Sequence, residues 1–107
     1  SAVMNWNNKK NKQLINAILT LKTFDEAKRF LRDLMTEKEI EEFSKRLQTA
    51  EMLNAKISYS VIEQKTGMSS TTVARVSKWL NRKQSGYKII INRLHHNNFV
   101  QARKKLS

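Results

Sequence analysis

The 107-residue sequence has no cysteine, no proline and only two glycines, Gly67 and Gly86. Without cysteine the chain has no disulfides, no thiolate zinc site and no cysteine nucleophile. Because proline and glycine are the strongest interruptions of regular structure, their scarcity favours long helices joined by short turns. We therefore predict an all-α chain, and its length predicts a single domain over residues 1–107 with a modest core of its own.

Long apolar runs are also missing. None approaches the roughly 18 residues of a membrane span. The start of the chain, SAVMNWNNKK, lacks the apolar stretch of a signal peptide. We expect a cytoplasmic bacterial protein that makes no membrane contact, and we interpret residues 1–3, which precede Met4, as a cloning remnant.

Acidic residues are scarce in the second half of the chain. The formal net charge is +12; residues 55–107 carry eleven Lys or Arg and one acid, Glu63, whereas residues 23–54 carry eight acids and six bases. Clustered cations gain affinity for polyanions by releasing counterions from phosphates. This distribution favours a nucleic-acid partner over charge that serves solubility alone.

Apolar residues recur at helical spacing through the first half of the chain. Thr23 with Glu26, and Thr36 with Glu39, have the spacing of the capping box that starts a helix. We predict one helix over about residues 5–22, a second that follows Thr23, and a long third helix that ends at about residue 54.

A helix-turn-helix is predicted at about residues 58–82. Ser60 begins an S-x-x-E pattern that caps a short helix ending near Lys65. Gly67 can take the left-handed conformation that closes a helix, and Ser69 can cap the next one. Two helices joined by so tight a turn are typical of this motif.

The second helix of the motif has two different faces. The apolar positions that such a pair buries are Ile62, Met68, Val73, Val76 and Leu80. We expect Trp79 to join them in the core. The cations expected to contact phosphates or base edges are Lys65, Arg75, Lys78 and Arg82. The small polar residues expected to face the DNA groove are Ser69, Ser70, Thr71 and Ala74.

After Gly86 the chain carries another apolar face, formed by Tyr87, Ile90, Ile91 and Leu94. So many apolar helix faces in a short chain predict that two subunits share one core. We expect a homodimer held by segments at about 5–54 and 87–105.

The stretch FLRDLMTEKEIEEFSKRLQTAEMLNAKISYSVIEQKTGMSSTTVARVSKWL joins a threonine-capped long helix to the predicted reading motif. From about Phe30 to Leu94 the sequence resembles the Trp repressor superfamily, and especially its Trp-repressor-like YerC/YecD family. The resemblance implies an intertwined, all-helical homodimer whose helix-turn-helix modules bind operator DNA.

The resemblance also implies positions for an effector pocket. The residues at those positions are Thr36, Arg46, Thr72 and Arg75. However, the family's glycine next to the reading-helix arginine is Val76 here, and a serine that helps to bind the ligand's amino group is Trp79. Overpacking a tight site costs about 1–3 kcal/mol. We therefore expect Val76 and Trp79 to fill the pocket, and we predict neither L-tryptophan as corepressor nor any other cofactor.

No enzymatic or metal chemistry is predicted. His95 and His96 are adjacent, so on a helix they point about 100° apart and do not hold one ion from one face. Ser44 and Ser77 have neither a nearby histidine nor the strand-turn-helix context of a nucleophile.

Taken together, these features predict a sequence-specific transcriptional regulator, a repressor, that binds double-stranded DNA as a homodimer. Two alternatives remain open. In one, the protein is a basic RNA-associated or architectural nucleic-acid-binding protein whose Lys-rich ends carry the contacts. In the other, it is a helical protein-interaction adaptor whose positive charge is incidental.

Overall fold

The computed structural model describes residues 3–106, and helices make up its regular structure. Six α-helices and no strand lie within this range, so the all-α prediction is confirmed. They are α1 (Lys9–Leu19), α2 (Phe24–Leu34), α3 (Glu37–Asn54), α4 (Tyr59–Thr66), α5 (Ser70–Asn81) and α6 (Gly86–Leu106). None of them combines the length and the apolar character needed to cross a membrane. Ser1 and Ala2, which belong to the predicted cloning remnant, lie outside the described residues.

The chain divides into two compact units, Ser1–Ile40 and Glu41–Ser107. The first contains α1, α2 and the first turn of α3; the second contains the rest of α3 together with α4, α5 and α6. The assignment of residues 1–107 to one domain stays a prediction.

Helix α1 is shorter at both ends than the predicted range of 5–22. Asn8 caps its start by accepting a hydrogen bond from the Lys10 N–H at 3.0 Å. At its other end the Thr20 hydroxyl donates to the Ala17 carbonyl at 2.7 Å. Short polar side chains of this kind compete with the helical backbone for hydrogen bonds, which favours caps and turns over a longer helix.

Both predicted threonine caps are present, but only one of the two predicted capping boxes is complete. The Thr23 hydroxyl accepts from the Glu26 N–H at 3.1 Å, although the Glu26 carboxylate accepts from the N–H of Lys22 and not from that of Thr23. At α3 the exchange is reciprocal: the Thr36 hydroxyl accepts from the Glu39 N–H at 3.1 Å, and the Glu39 carboxylate accepts from the Thr36 N–H at 3.0 Å. Helix α3 ends at Asn54, as predicted.

The core of the second unit consists of two clusters, and α5 contributes to both. The first contains Ala50, Val76, Leu80 and Ile91; the second contains Ile62, Met68 and Val73. All five residues predicted to be buried in the motif are buried. Because α5 packs against both α4 and α6, its orientation is fixed from two sides.

Helix α6 is attached to this core through one turn of its predicted apolar face. Ile91 is fully buried, and Tyr87 packs against the same cluster. Ile90 is 45% exposed and Leu94 is half-buried, so a single chain leaves part of the predicted face uncovered.

Candidate nucleic-acid interface

The motif begins at residue 58, as predicted, but α4 starts two residues earlier than the S-x-x-E pattern at Ser60 indicates. Ser58, and not Ser60, caps α4: its backbone is extended and its hydroxyl accepts from the Val61 N–H at 3.4 Å. The chain has just left α3 through Lys56, whose φ is 63°. The Ile57 N–H still bonds to a carbonyl of α3. Ser58 is therefore the first residue free to start a new helix, and the later S-x-x-E pattern is not used as a cap.

The turn between α4 and α5 takes the form that its glycine predicts. Gly67 caps α4 in the left-handed conformation with φ of 73°, and its N–H donates to the Glu63 carbonyl at 2.9 Å. The buried Thr66 hydroxyl donates to the Ile62 carbonyl at 2.7 Å and accepts from the Met68 N–H at 3.2 Å. Sequence reasoning missed Thr66, because its role depends on burial and no spacing pattern marks it.

Helix α5 starts at the predicted cap. The Ser69 hydroxyl accepts from the Thr72 N–H at 3.2 Å, and the two hydroxyl oxygens lie 3.0 Å apart. Ser69 therefore has a structural role that precedes any contact with DNA, because it satisfies an N–H that the first turn of a helix leaves without a partner.

The residues predicted to contact DNA are all exposed: Lys65, Ser69, Ser70, Thr71, Ala74, Arg75, Lys78 and Arg82. Four of them, together with Trp79, line one shallow groove of about 540 Å³ along α5: Thr71, Ala74, Arg75 and Lys78. The remaining four lie outside that groove. No acidic residue occurs on α5, so the whole outward surface of the helix is neutral or positive.

Trp79 is half exposed, so the expectation that it belongs to the core is wrong. It is adjacent to Leu80, which is buried, and neighbouring residues on a helix point about 100° apart. Instead, the Arg82 guanidinium stacks on the Trp79 ring, with its central carbon 4.5 Å from the ring centroid. This stack holds a cation beside the α5 groove, and sequence reasoning did not identify it.

A second groove is also lined by Trp79. It measures about 560 Å³, and the residues that line it are Arg46, Leu47, Trp79, Arg82, Gly86, Tyr87 and Ile90. Arg46 sits 3.6 Å from the Glu42 carboxylate and 5.4 Å from the centroid of the Phe43 ring. Arg46 and Arg75 line different grooves, and Trp79 borders both.

Two of the four effector positions have their hydroxyls engaged in helix caps. Thr36, in the first unit, caps α3, and the Thr72 hydroxyl lies 3.0 Å from that of Ser69. Val76 is 3% exposed and packs in the core cluster with Leu80 and Ile91. The occupation of an effector pocket by Val76 and Trp79 stays a prediction.

The two adjacent histidines are both exposed on α6, and His96 lines a surface groove with Phe99 and Arg103. Between residues 3 and 106, no three His, Asp or Glu side chains come together as metal ligands.

Comparison with known proteins identifies the family. The family model described as "Trp repressor protein" matches residues 9–95. YerC of Bacillus subtilis (strain 168) is 40% identical over 82 residues, which cover 77% of this chain and 79% of that protein. The crystal structure of a TrpR-like protein from Eubacterium eligens ATCC 27750 aligns with a TM-score of 0.78 at 39% identity, over 84% of this chain and 93% of that one. A crystal structure from Staphylococcus aureus aligns with a TM-score of 0.77 at 34% identity, over 87% and 96% of the two chains.

This chain belongs to the Trp repressor family. The resemblance predicted from the sequence is thereby confirmed, together with the Trp-repressor-like helical fold. The family is one of helical DNA-binding regulators and not of enzymes. The residues that match the family model stop at 95, within α6.

Proposed function

We propose that this protein is a transcriptional repressor that reads duplex DNA with α5 as a homodimer, without L-tryptophan as corepressor. The observation that carries the proposal is the division of α5 into two faces. Val73, Val76 and Leu80 fix one face in the core. The opposite face presents small polar side chains and cations in an open groove. A rigid helix with such a face is what direct contact with base edges and phosphates requires.

The charge distribution supports the same conclusion. After Glu63 every charged residue of the chain is a cation. Arg75, Lys78 and Arg82 lie on or beside the α5 surface, where they suit phosphate contacts that position a reading helix. Thr71 and Ala74 line the same groove and are small enough to let the helix approach the bases. Because such residues make few base-specific hydrogen bonds, we expect readout to rely partly on water and on DNA shape.

The homodimer is supported by apolar side chains that the chain leaves exposed. No residue of α1 or α2 is buried. Exposed apolar residues on these helices include Leu14, Ile15, Ile18, Leu19, Phe24 and Leu34. A second subunit is the simplest way to bury so many apolar side chains, because a short chain buries too little surface by itself. Two-fold symmetry would present two copies of α5 to a palindromic site.

Independence from L-tryptophan is supported by packing. The Val76 side chain is a core residue, so the space that a glycine would leave is filled. Thr72 is engaged with Ser69, and Arg46 lines a different groove from Arg75. A planar ligand would have to displace core atoms or rearrange α5 before it could bind.

Selection from a random duplex library at about 150 mM salt tests the proposal, because that salt suppresses non-specific binding. We expect an enriched palindrome that is the same with and without L-tryptophan. Parallel calorimetry should give no saturable heat with L-tryptophan at micromolar concentration. Binding of L-tryptophan that disappears in Arg75→Gln would contradict the effector part alone, whereas a library with no enriched sequence would contradict DNA reading.

Two further outcomes separate the rival functions. If affinity is high but sequence-independent, and is lost when residues 1–12 and 103–107 are deleted, the protein is a basic architectural or RNA-associated binder. If DNA binding is weak and sequence-independent even at low salt, the helices serve as a protein-interaction adaptor.

A further inference from the structure

Helix α6 continues well beyond the part that packs on the core. Ile91 is buried with Val76 and Leu80, which ties the first half of α6 to the unit that holds α5. From residue 95 to residue 105 every side chain is exposed except the half-buried Val100. At 1.5 Å per residue, residues 95–106 extend the helix by about 18 Å. We call residues 96–106 distal α6; they lie beyond the last residue that matches the family model.

Distal α6 is basic and contains no acid. Arg103, Lys104 and Lys105 lie in its last turn. The Arg103 guanidinium lies 5.7 Å from the centroid of the Phe99 ring, and that ring is 59% exposed. The side chains of His96, Phe99, Val100, Arg103 and Lys104 line a shallow surface groove of about 520 Å³.

We propose that distal α6 is a second DNA-contact element, which binds phosphates outside the sequence that α5 reads, and that it is not part of the subunit contact expected for residues 87–105. This inference rests on the proposed function. Both elements belong to the second unit, and α5 and α6 share the cluster of Val76, Leu80 and Ile91, so the two are held together through one core and we expect both to contact the same duplex. The expected contacts are the guanidinium of Arg103 and the ammonium groups of Lys104 and Lys105 with phosphate oxygens.

Charge favours DNA over a protein or a small molecule as the partner. Between residues 88 and 105 the chain carries five Lys or Arg and no Asp or Glu. The only exposed apolar groups of the groove are Phe99 and part of Val100, far less than the roughly 800 Å² that each partner buries in a stable protein interface. The groove is open and shallow, which suits a charged backbone that passes over it.

The same cations also have a purely structural explanation, because positive side chains in the last turn of a helix interact favourably with its dipole. In that case the three cations would stabilise the end of the helix and would not contact DNA. The two explanations differ in what salt does: a phosphate contact contributes to the salt dependence of DNA binding, whereas a dipole interaction does not.

The test compares three forms of the full chain on a labelled duplex of scrambled sequence, from about 50 to about 200 mM salt. They are the wild type, the variant Arg103→Gln, Lys104→Gln, Lys105→Gln, and a matched control, Lys28→Gln, Lys38→Gln, Lys45→Gln. The control removes the same charge from a segment that has more acids than bases. Among the described residues it removes the surface ion pairs with Asp25 and Glu41, and such exposed pairs contribute little to stability.

We expect the distal variant to lower the slope of log K against log salt by about one to three units per protomer, since each phosphate contact contributes about 0.9. The control should change the slope by less than the roughly 0.9 expected for one phosphate contact. A fourth form is added as a second control: the charge-retaining variant Arg103→Lys, Lys104→Arg, Lys105→Arg should behave as the wild type. Circular dichroism and gel filtration establish that each variant keeps its helices and its oligomeric state.

Three results would overturn the inference: a slope unchanged in the distal variant, an equal fall in variant and control, or loss of the oligomer in the distal variant, which would make distal α6 a subunit contact. The scrambled duplex isolates this inference from the proposed function. Failure of α5 to read DNA would appear as equal affinity for selected and scrambled duplexes, whatever the salt slopes of the variants.

Discussion

The guanidinium of Arg82 stacks on the ring of Trp79, with 4.5 Å between the guanidinium carbon and the ring centroid. Both residues are exposed, and they lie where α5 ends. The stack restricts a long cationic side chain that would otherwise sample many rotamers. If Arg82 contacts a phosphate, as proposed, we expect Trp79 to act on DNA through Arg82 as a positioning residue.

Replacing Trp79 with leucine should weaken DNA binding without unfolding the protein. The cation–π contact of an exposed pair contributes about 0.5–1 kcal/mol, so we expect the affinity for the selected duplex to fall about two- to fivefold. Trp79→Phe keeps a ring under the guanidinium and should lose less. Fluorescence anisotropy on labelled DNA measures the affinity, and the thermal midpoint of unfolding serves as the folding control.

A double-mutant cycle with Arg82→Gln decides whether Trp79 acts through Arg82. If it does, Trp79→Leu should have little further effect once Arg82 is replaced. Equal effects of Trp79→Leu in both backgrounds would contradict the positioning role and would indicate that the ring contacts DNA by itself.

Replacing Lys78 with alanine should lower the salt dependence of DNA binding. Lys78 lies in the α5 groove and is exposed, so it can contact a phosphate. We expect the slope of log K against log salt to fall by about 0.9 per protomer and affinity to fall for all sequences alike. Lys38→Ala, on the acidic start of α3, is the matched control. If Lys78→Ala leaves both affinity and slope at wild-type values, Lys78 makes no phosphate contact.

Replacing Gly67 with alanine should destabilise the protein through its backbone alone. Gly67 has φ of 73°, and an added Cβ would meet no atom within 4 Å, so no clash contributes. The left-handed conformation costs a residue with a side chain about 1–2 kcal/mol. Gly86→Ala, also in open space but without a positive φ, should leave stability unchanged or slightly raised. Urea denaturation measures both, and equal effects would contradict this account of the turn.

The start of α3 should make a pH-dependent contribution to stability. Hydrogen bonds from the backbone N–H of Thr36 and, second, from its hydroxyl hold the pKa of Glu39 below its ordinary value of 4.5. The stabilisation is therefore complete above pH 4.5 and is lost as pH falls through the lowered pKa. The difference in unfolding free energy between wild type and Glu39→Gln, measured in urea across this range, should shrink toward low pH.

The control for that measurement is the Thr36→Ala background. Without the hydroxyl of Thr36 the pKa of Glu39 should move toward its ordinary value, and the pH dependence of the difference should weaken. A difference that stays constant from neutral to acid pH would contradict the assignment.

The sequence predicted those parts of the fold that short-range chemistry determines. Gly67, Ser69 and the Thr36–Glu39 pair each occupy the position that their side chains favour, because a cap or a left-handed residue depends only on its near neighbours. The buried face of α5 was also predicted, since Val73, Val76 and Leu80 follow helical spacing. The all-α class followed from the scarcity of proline and glycine, and the family resemblance was stated from the sequence between about Phe30 and Leu94.

Prediction from sequence was less accurate where two local signals competed or where tertiary packing determined which side chains are buried. Ser58 and Ser60 both offer a cap, and the left-handed Lys56, two residues after the end of α3, selects the earlier one. The Trp79 side chain is largely apolar, yet its angular position on α5 places it outside the core. Its stack with Arg82 depends on two rotamers, which no spacing pattern encodes.

The central claim, that the outward face of α5 reads base sequence, is tested most directly by repeating the library selection with that face altered. Thr71→Asn and Ala74→Gln replace two exposed residues of the α5 groove with side chains that can form bidentate contacts with adenine. We predict that this variant enriches a different palindrome with the same spacing between its halves. If it enriches the sequence selected by the wild type, α5 does not read the DNA, and the account is contradicted.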